Sequence, residues 1–419
     1  QVYATLVDLC GRLQIPRGRM GVAYDGWVVD ADVDTGEDPR DDVPDNGPGE
    51  TEREAMERRQ FVANAAALMF GSPVFGEVTE FVIPSKGTPP YARAGTSDIA
   101  RTKWLTSVCW RLFGIHGGGS CADFIKRELP GAYRLLSAPG MRDKVRLPLF
   151  MAVAEMHMVA GWATADTGDF RTARAMFARA LKIVKQAYKD QPRTRIFSDG
   201  YHGPEGREVQ ALIATILIFQ ANLYGTVGEP QEMLKLIQLA EFVEPKGLTT
   251  SRAAIHSAWG HAQLGEGESH LVPIAVKEIT RAQDLYAKHR TDQPLPPCLA
   301  DYNTSGPVAV TETTYRELAT RVDDAFLSKA VPASLAAFTP ETAPCLVDVL
   351  LNKSRAAELH FKAGDIKNGL QLAGDVARTA ESVWSTSWWA RRAITDLRQV
   401  LRFRDSTARD IYQTLSKLQ

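Results

Sequence analysis

The sequence predicts an all-α protein built as a solenoid of helical hairpins. Three observations carry this reading. Beyond Glu54, apolar residues recur at helical spacing in one segment after another, separated by glycine and proline turns. No convincing period-2 segments bounded by hairpin turns interrupt them. Two stretches, beginning at Ala154 and Ala221, repeat one arrangement of small, aromatic and turn residues. The 419 residues, 44% hydrophobic and 24% charged, leave room for more than one domain and a sizeable core.

In chain order, Val2, Leu6, Leu9 and Leu13 share the face of one short helix, which Pro16 stops by removing a backbone donor. The chain begins at Gln1 rather than methionine, so a longer native protein is expected. From Asp30 to Glu54, acidic residues, glycine and proline crowd together with few large apolar side chains, as in a solvated linker. Asp30, Asp32 and Asp34 start like a calcium loop. Thr35 holds the position where that loop needs glycine, and Asp41 stands where its bidentate glutamate belongs, so calcium is not expected.

The stretch "FGIHGGGSCADF", Phe113 to Phe124, has the look of an active-site loop. An oxyanion hole made by its glycines would need a G-x-S-x-G nucleophile elbow, which the chain lacks. A phosphate loop would need G-x-x-x-x-G-K-[ST] after a strand, whereas "SCADF" follows Gly119 and a helical pattern precedes it. What remains is a turn in which glycine permits a left-handed helix exit and Ser120 caps the next helix.

The clearest repeat unit runs from Ala154 to Gln186, close to the period of about 34 residues of tetratricopeptide repeats. Gly161 lets two helices approach, Gly168 to Phe170 make the turn, and Ala173, Phe177 and Ala180 form the inner stripe of the returning helix. A second unit has Ala221, Tyr224, a turn around Gly228, Ile237, Ala240 and a closing Pro245. A looser third carries Ala258, His261 and Gly265, and a late one Ala357, "AGDI" at Ala363 to Ile366, and Ala373. Between them, Tyr315 to Phe338 reads as a worn hairpin. The fold class is therefore all-α, a helical-hairpin solenoid of degenerate tetratricopeptide-like repeats.

Chemistry-bearing residues are sparse. The five cysteines, Cys10, Cys109, Cys121, Cys298 and Cys345, are odd in number and show no C-x-x-C spacing, which predicts neither a disulfide framework nor a zinc site and fits a reducing cytoplasm. None of the eight histidines forms an H-E-x-x-H pair, and His261 and His360 read as packed hairpin residues, so no metal and no cofactor are expected. No nucleophile, base and orienting acid are linked, so no enzyme is predicted. A formal net charge of -1 gives no overall electropositive footprint for phosphate backbones. No stretch reads as approaching the roughly 20 apolar residues of a membrane span, and no membrane partner is expected. "SVWSTSWWARR", Ser382 to Arg392, places Trp384 and Trp388 on one helical face. That face reads as a helix closing the end of the array or as a dimer contact, with base stacking the weaker alternative.

"ERRQFVANAAAL" (Glu57 to Leu68), "FGIHGGGSC", "VAGWATADTGDFRTARAMFARAL" (Val159 to Leu181) and "KAGDIKNGLQLA" (Lys362 to Ala373) together resemble actinobacterial transcriptional regulators. In that family a Cro/cI-type helix-turn-helix precedes a linker and a degenerate tetratricopeptide-like domain. "LVDLCGRLQIPRGRMGVA" (Leu6 to Ala23) resembles the last helix and exit of the DNA-binding part. The resemblance implies that residues 1–25 are the tail of that domain, 26–56 an acidic linker, 57–145 a helical lead-in and 146–419 the repeat domain. It further implies that first helices line a concave groove for a small molecule, peptide or protein. The groove positions are then Met158, Trp162 and Asp166, Ile218, Asn222 and Thr226, and Arg252 and Trp259.

The function so implied is cytoplasmic transcription regulation by a homodimer, with DNA held by an N-terminal domain largely outside this chain. The alternative is a tetratricopeptide-type interaction scaffold that does not bind DNA.

Overall fold

The computed structural model describes residues 94–187, 204–244, 246–291, 299, 302, 305–339, 345–382, 386–402 and 406–417. The short helix at 2–13, the acidic linker with its calcium-like stretch, and Pro245 and Trp384 lie outside the described residues. Those that are described are all-helical, with fourteen α-helices and no strand among them.

Two helices lead in. Helix α1 (Thr96–His116) ends at Gly117, and after a single 3-10 turn (Gly118–Ser120) α2 (Ala122–Leu136) begins. Antiparallel hairpins follow: α3 (Asp143–Ala165) with α4 (Phe170–Ala187), α5 (Pro204–Thr226) with α6 (Pro230–Val243), and α7 (Leu248–Leu264) with α8 (Leu271–His289). Then come α9 (Val308–Arg321) with the shorter α10 (Leu327–Ala336), α11 (Leu346–Lys362) with α12 (Ile366–Ser382), and α13 (Trp388–Leu401) with α14 (Ser406–Lys417).

The turns explain why these hairpins form. Gly168, Gly228 and Gly364 close three of them with φ of 91°, 79° and 79°, a region that glycine enters without steric cost. The residue after each glycine prepares the next helix. Asp169 accepts the N–H of Thr172 at 3.0 Å, and Asp365 accepts that of Asn368 at 3.3 Å, so each carboxylate satisfies an otherwise orphaned donor of the first turn. In the second hairpin Pro230 takes the first helical position, where its missing N–H costs nothing.

Packing then sorts the helices into two kinds. First helices are enclosed by neighbours, and α3 buries residues around its whole circumference from Val145 to Ala165. Second helices are one-sided: α4 turns Ala173, Phe177, Ala180 and Val184 inward. A Cβ on Gly161 would stand 3.1 Å from the Phe177 ring, so glycine there sets the close approach of α3 and α4. Burying Phe177 fully contributes about 2–3 kcal/mol. Helix α5 corrects the expectation that no segment approaches a membrane span. Residues 208–226 have a mean hydropathy of 1.3 over a sufficient length, but most of that stretch is buried inside the fold. Ile216, Ile218 and Leu223 all pack fully inside.

The first helices form a closed circuit. Helix α3 packs on α5, α5 on α7 and α7 on α9; α9 leads through α10 to α11. Helix α11 packs on α13 and on α1, and α1 returns to α3. The worn segment of the sequence is thus a real hairpin, α9–α10, beginning at Val308.

Candidate functional site

The glycines of "HGGG" are the point where the circuit closes. The Asp166 carboxylate, buried at the end of α3, accepts the backbone N–H of Gly118 at 2.8 Å through Oδ2. Its Oδ1 accepts the Ser387 hydroxyl at 2.7 Å and the N–H of Trp389 at 3.4 Å. The Asp166 carbonyl accepts the N–H of Trp388 at 2.7 Å, and the His116 carbonyl accepts both the N–H and the hydroxyl of Thr386 at 2.6 and 2.8 Å. Residues more than two hundred positions apart are joined by one hydrogen-bonded latch.

The latch requires three glycines for steric reasons. A Cβ on Gly117 would meet the Ser387 backbone, one on Gly118 the Ala163 carbonyl oxygen, and one on Gly119 would lie 2.8 Å from the Thr386 Cβ. Burial lifts the Asp166 carboxyl from 3.8 to about 7, against the opposing pull of the donated hydrogen bonds. The expected left-handed exit stands as a positive φ of 87° at Gly117. The expected cap does not. Ser120 donates its hydroxyl to the Gly117 carbonyl at 2.6 Å, and Cys121 precedes α2 without a side-chain cap.

Closing the latch assembles an aromatic wall on the inner helices. The Trp162 ring lies 4.5 Å from that of Trp389 and edge-on to Phe219 at 4.9 Å, with Phe113 at 6.4 Å. Trp110 reaches Phe219 at 5.6 Å. The Arg252 guanidinium covers the other part of Phe219 at 4.5 Å and approaches Tyr302 at 5.5 Å, a cation–π arrangement. Beneath it, Asn222 Nδ2 donates to His256 Nε2 at 3.2 Å while His256 Nδ1 donates to the Arg252 carbonyl at 2.7 Å. Both bonds suit one neutral tautomer. Burial, and then the Arg252 charge, push the His256 pKa down to about 3.

A charged sector continues around the circuit on α9 and α11. Glu312 is fully buried and faces two guanidinium groups, Arg316 at 3.4 Å and Arg355 at 3.8 Å. Glu317 pairs with Arg316 at 3.8 Å and Arg321 at 2.6 Å. Burial raises Glu358 to about 7 although Arg316 and Arg355 oppose it, and burial with Arg316 repulsion lowers Arg355 to about 10. The aromatic and charged sectors meet through α13, whose Trp389 and Asp396 lie two turns apart on one face.

The groove positions implied by the resemblance separate under this geometry. Trp162, Asn222 and Arg252 come together at the aromatic wall and are partly exposed. Asp166 is buried in the latch rather than open to a groove, its carboxylate taken up by three donors there. Met158, Ile218 and Trp259 are buried. Ile218 and Trp259 fill the core between α5, α6 and α7, since the first helices are enclosed on more sides than a one-sided groove would leave. Thr226 bonds back to the Asn222 carbonyl at 2.9 Å.

The sequence reading missed Phe113, Phe219, Trp389 and Ser387, and the arginines of α9 and α11. It also missed that Cys109 and Cys121 meet. Their hydrogen bond, and then burial, push the Cys109 thiol well above its ordinary value, so it stays protonated and unreactive. No group of metal-ligating side chains occurs among the described residues.

No known protein family model matches the chain. No curated protein matches it either.

Proposed function

We propose that this chain is a cytoplasmic transcriptional regulator, its described hairpins forming a degenerate tetratricopeptide-like effector domain and its first 25 residues the tail of a helix-turn-helix domain. The observation that carries the reading is the Trp162–Trp389 stack, which joins the first complete hairpin to the last one at a partly exposed inner wall. An effector lying on that wall touches both ends of the circuit. It therefore binds the closed arrangement better than the open one, and that difference in affinity is what shifts a conformational equilibrium.

The output is a change in the geometry of a homodimer, and hence in its grip on paired half-sites of DNA. Effector and DNA are then linked reciprocally: each strengthens or weakens the other by the same factor. The ordered resemblance of four sequence segments to such regulators supports the assignment.

Selection from random-sequence duplexes with the full-length protein tests it. The expected result is enrichment of a two-fold symmetric site whose affinity falls steeply as salt rises. Recovery of no preferred sequence overturns the reading and leaves the protein-interaction scaffold.

A further inference from the structure

We infer that the outer surface made by α2 and α4 holds the phosphate backbone of duplex DNA without reading its sequence, through Arg171, Arg179 and Lys182 of α4 with Arg134 of α2 at its edge. The inference goes beyond the regulator reading, since it gives the hairpins a nucleic-acid contact of their own.

The formal net charge of -1 is unevenly spread. Helix α4 carries Arg171, Arg174, Arg179 and Lys182 and no aspartate or glutamate. Its apolar stripe faces the core, so Arg171, Arg179 and Lys182 stand exposed on the outer side. Helical spacing sets Arg171, Ala175, Ala178 and Lys182 along one line, with about 16 Å between its ends. Both alanines are exposed, and their small side chains let a backbone approach closely between the cations.

Helix α2 lies beside this line, since both helices pack on α3. At one end Lys126 of α2 and Arg171 of α4 both act electrostatically on the Asp169 carboxylate. At the other, the Tyr133 ring of α2 lies 5.2 Å from that of His157, and the Arg179 charge acts on the same imidazole. Arg134, the exposed neighbour of Tyr133, adds its charge to the edge of the surface.

These charges are unspent. Arg134, Arg171, Arg179 and Lys182 make no ion pair among the described residues, while the carboxylates around them are engaged elsewhere. Glu128 pairs with Arg101 at 3.6 Å and Glu229 with Arg174 at 3.1 Å. Asp169 accepts the Thr172 N–H at 3.0 Å. Asp123 stands at the start of α2, about three turns from Arg134.

The composition of the surface selects its partner. A protein interface is anchored on apolar and aromatic side chains, and a helix lying on a membrane needs an apolar face in the lipid. The exposed line of α4 has only alanines between its cations. Tyr133 at the edge is 36% exposed and carries a hydroxyl that suits a phosphate as well. A phosphate backbone needs no apolar anchor: cations that neutralise it release its counterions, and the arginine fork matches its oxygens.

The test is fluorescence anisotropy of a labelled duplex of arbitrary sequence with the full-length protein, from about 50 to about 200 mM salt. The expected dissociation constant is about 1–100 μM. R171Q/R179Q/K182Q should weaken binding by about tenfold or more at the low-salt end and reduce the slope of log affinity against log salt by about 2–3. The exposed cations Lys277, Lys288 and Arg290, on or just past α8, supply the control: K277Q/K288Q/R290Q makes the same change in net charge and should alter neither quantity. R171K/R179K keeps the charges and should keep the slope. If circular dichroism shows that the triple α4 variant does not fold, R171Q and R179Q singly should each remove about one unit of slope. No binding below about 100 μM, or equal effects of the α4 and α8 variants, overturns the inference. So does binding of phosphatidylserine vesicles or polyglutamate as tight as that of the duplex and lost in the same α4 variant, which would mark a membrane or an acidic protein as the partner. The selection from random sequences reads base recognition and this titration reads backbone contact, so either can fail while the other succeeds.

Discussion

The Ser387 hydroxyl donates to the Asp166 carboxylate at 2.7 Å, across 221 residues of chain, inside a fully buried contact. That one bond joins the end of α3 to the start of α13. Ser387 works twice, because its oxygen also accepts the N–H of Ala390 at 3.2 Å and so caps α13.

Removing Asp166 strands the Gly118 N–H and the Ser387 hydroxyl in a buried place, where each unsatisfied group costs about 1–3 kcal/mol. Asp166→Ala is therefore expected to destabilise the domain by about 3 kcal/mol, and Ser387→Ala by about half of that through the lost cap and bond. Urea unfolding monitored by circular dichroism measures both. Losses under about 0.5 kcal/mol would mean that the latch does not hold the ends together.

Glycine at 118 is a steric requirement, whereas at Gly228 it serves only a positive φ. A Cβ at Gly118 collides with the Ala163 carbonyl oxygen and the Asp166 Cβ; one at Gly228 meets nothing within 4 Å. Gly118→Ala should cost about 3 kcal/mol or more, in the range of overpacked cores. Gly228→Ala should cost about 1 kcal/mol from backbone strain alone. Equal melting shifts for the two would contradict this account of the "HGGG" stretch.

His157 predicts a pH dependence. It is fully buried, neither ring nitrogen has a hydrogen-bond partner among the described residues, and burial, then the Arg179 charge, lower its pKa from 6.5 to about 4. Between those values the unfolded chain binds the proton and the folded chain does not. Its contribution is therefore complete above about pH 6.5 and is lost as pH falls towards 4, by about 3 kcal/mol in all. His157→Leu should flatten that part of the stability curve, measured as unfolding midpoints from pH 4 to 8. An unchanged slope would place the titration elsewhere.

Asp166 works in the opposite direction. Its folded-state pKa of about 7 exceeds the ordinary 3.8, so its contribution is complete below pH 3.8 and is lost as pH rises to about 7. Asp166→Asn removes this term, and its stability should fall less than that of the native protein between pH 5 and about 7.5. A parallel curve would show that the carboxyl is already ionised across that range.

How much of this was legible beforehand depends on the range of the interaction. The α3–α4 hairpin could be read directly, since Gly161, Gly168, Ala173 and Phe177 act on neighbours within one helical hairpin, and local spacing encodes them. Gly228 and Gly364 were legible for the same reason. The latch was not, because nothing near "HGGG" in sequence indicates that Thr386 and Ser387 will arrive there. The glycines therefore read as a mere turn. The burial of Met158, Ile218 and Trp259 was not legible, because a sequence pattern marks which helix of a hairpin comes first but not how tightly its neighbours enclose it. Arg316 and Arg355 escaped notice because charged residues at helical spacing look like a solvated face until burial is known.

The most direct test of closure is amide hydrogen exchange, comparing the native protein with Asp166→Ala. Closure through Asp166 predicts that the amides of Gly118, Trp388 and Trp389 are protected in the native protein. In the variant they should exchange about tenfold faster or more, while amides of α7 and α8 keep their rates. Acceleration confined to the neighbourhood of residue 166, with residues 386–390 unchanged, would contradict a circuit closed at this point.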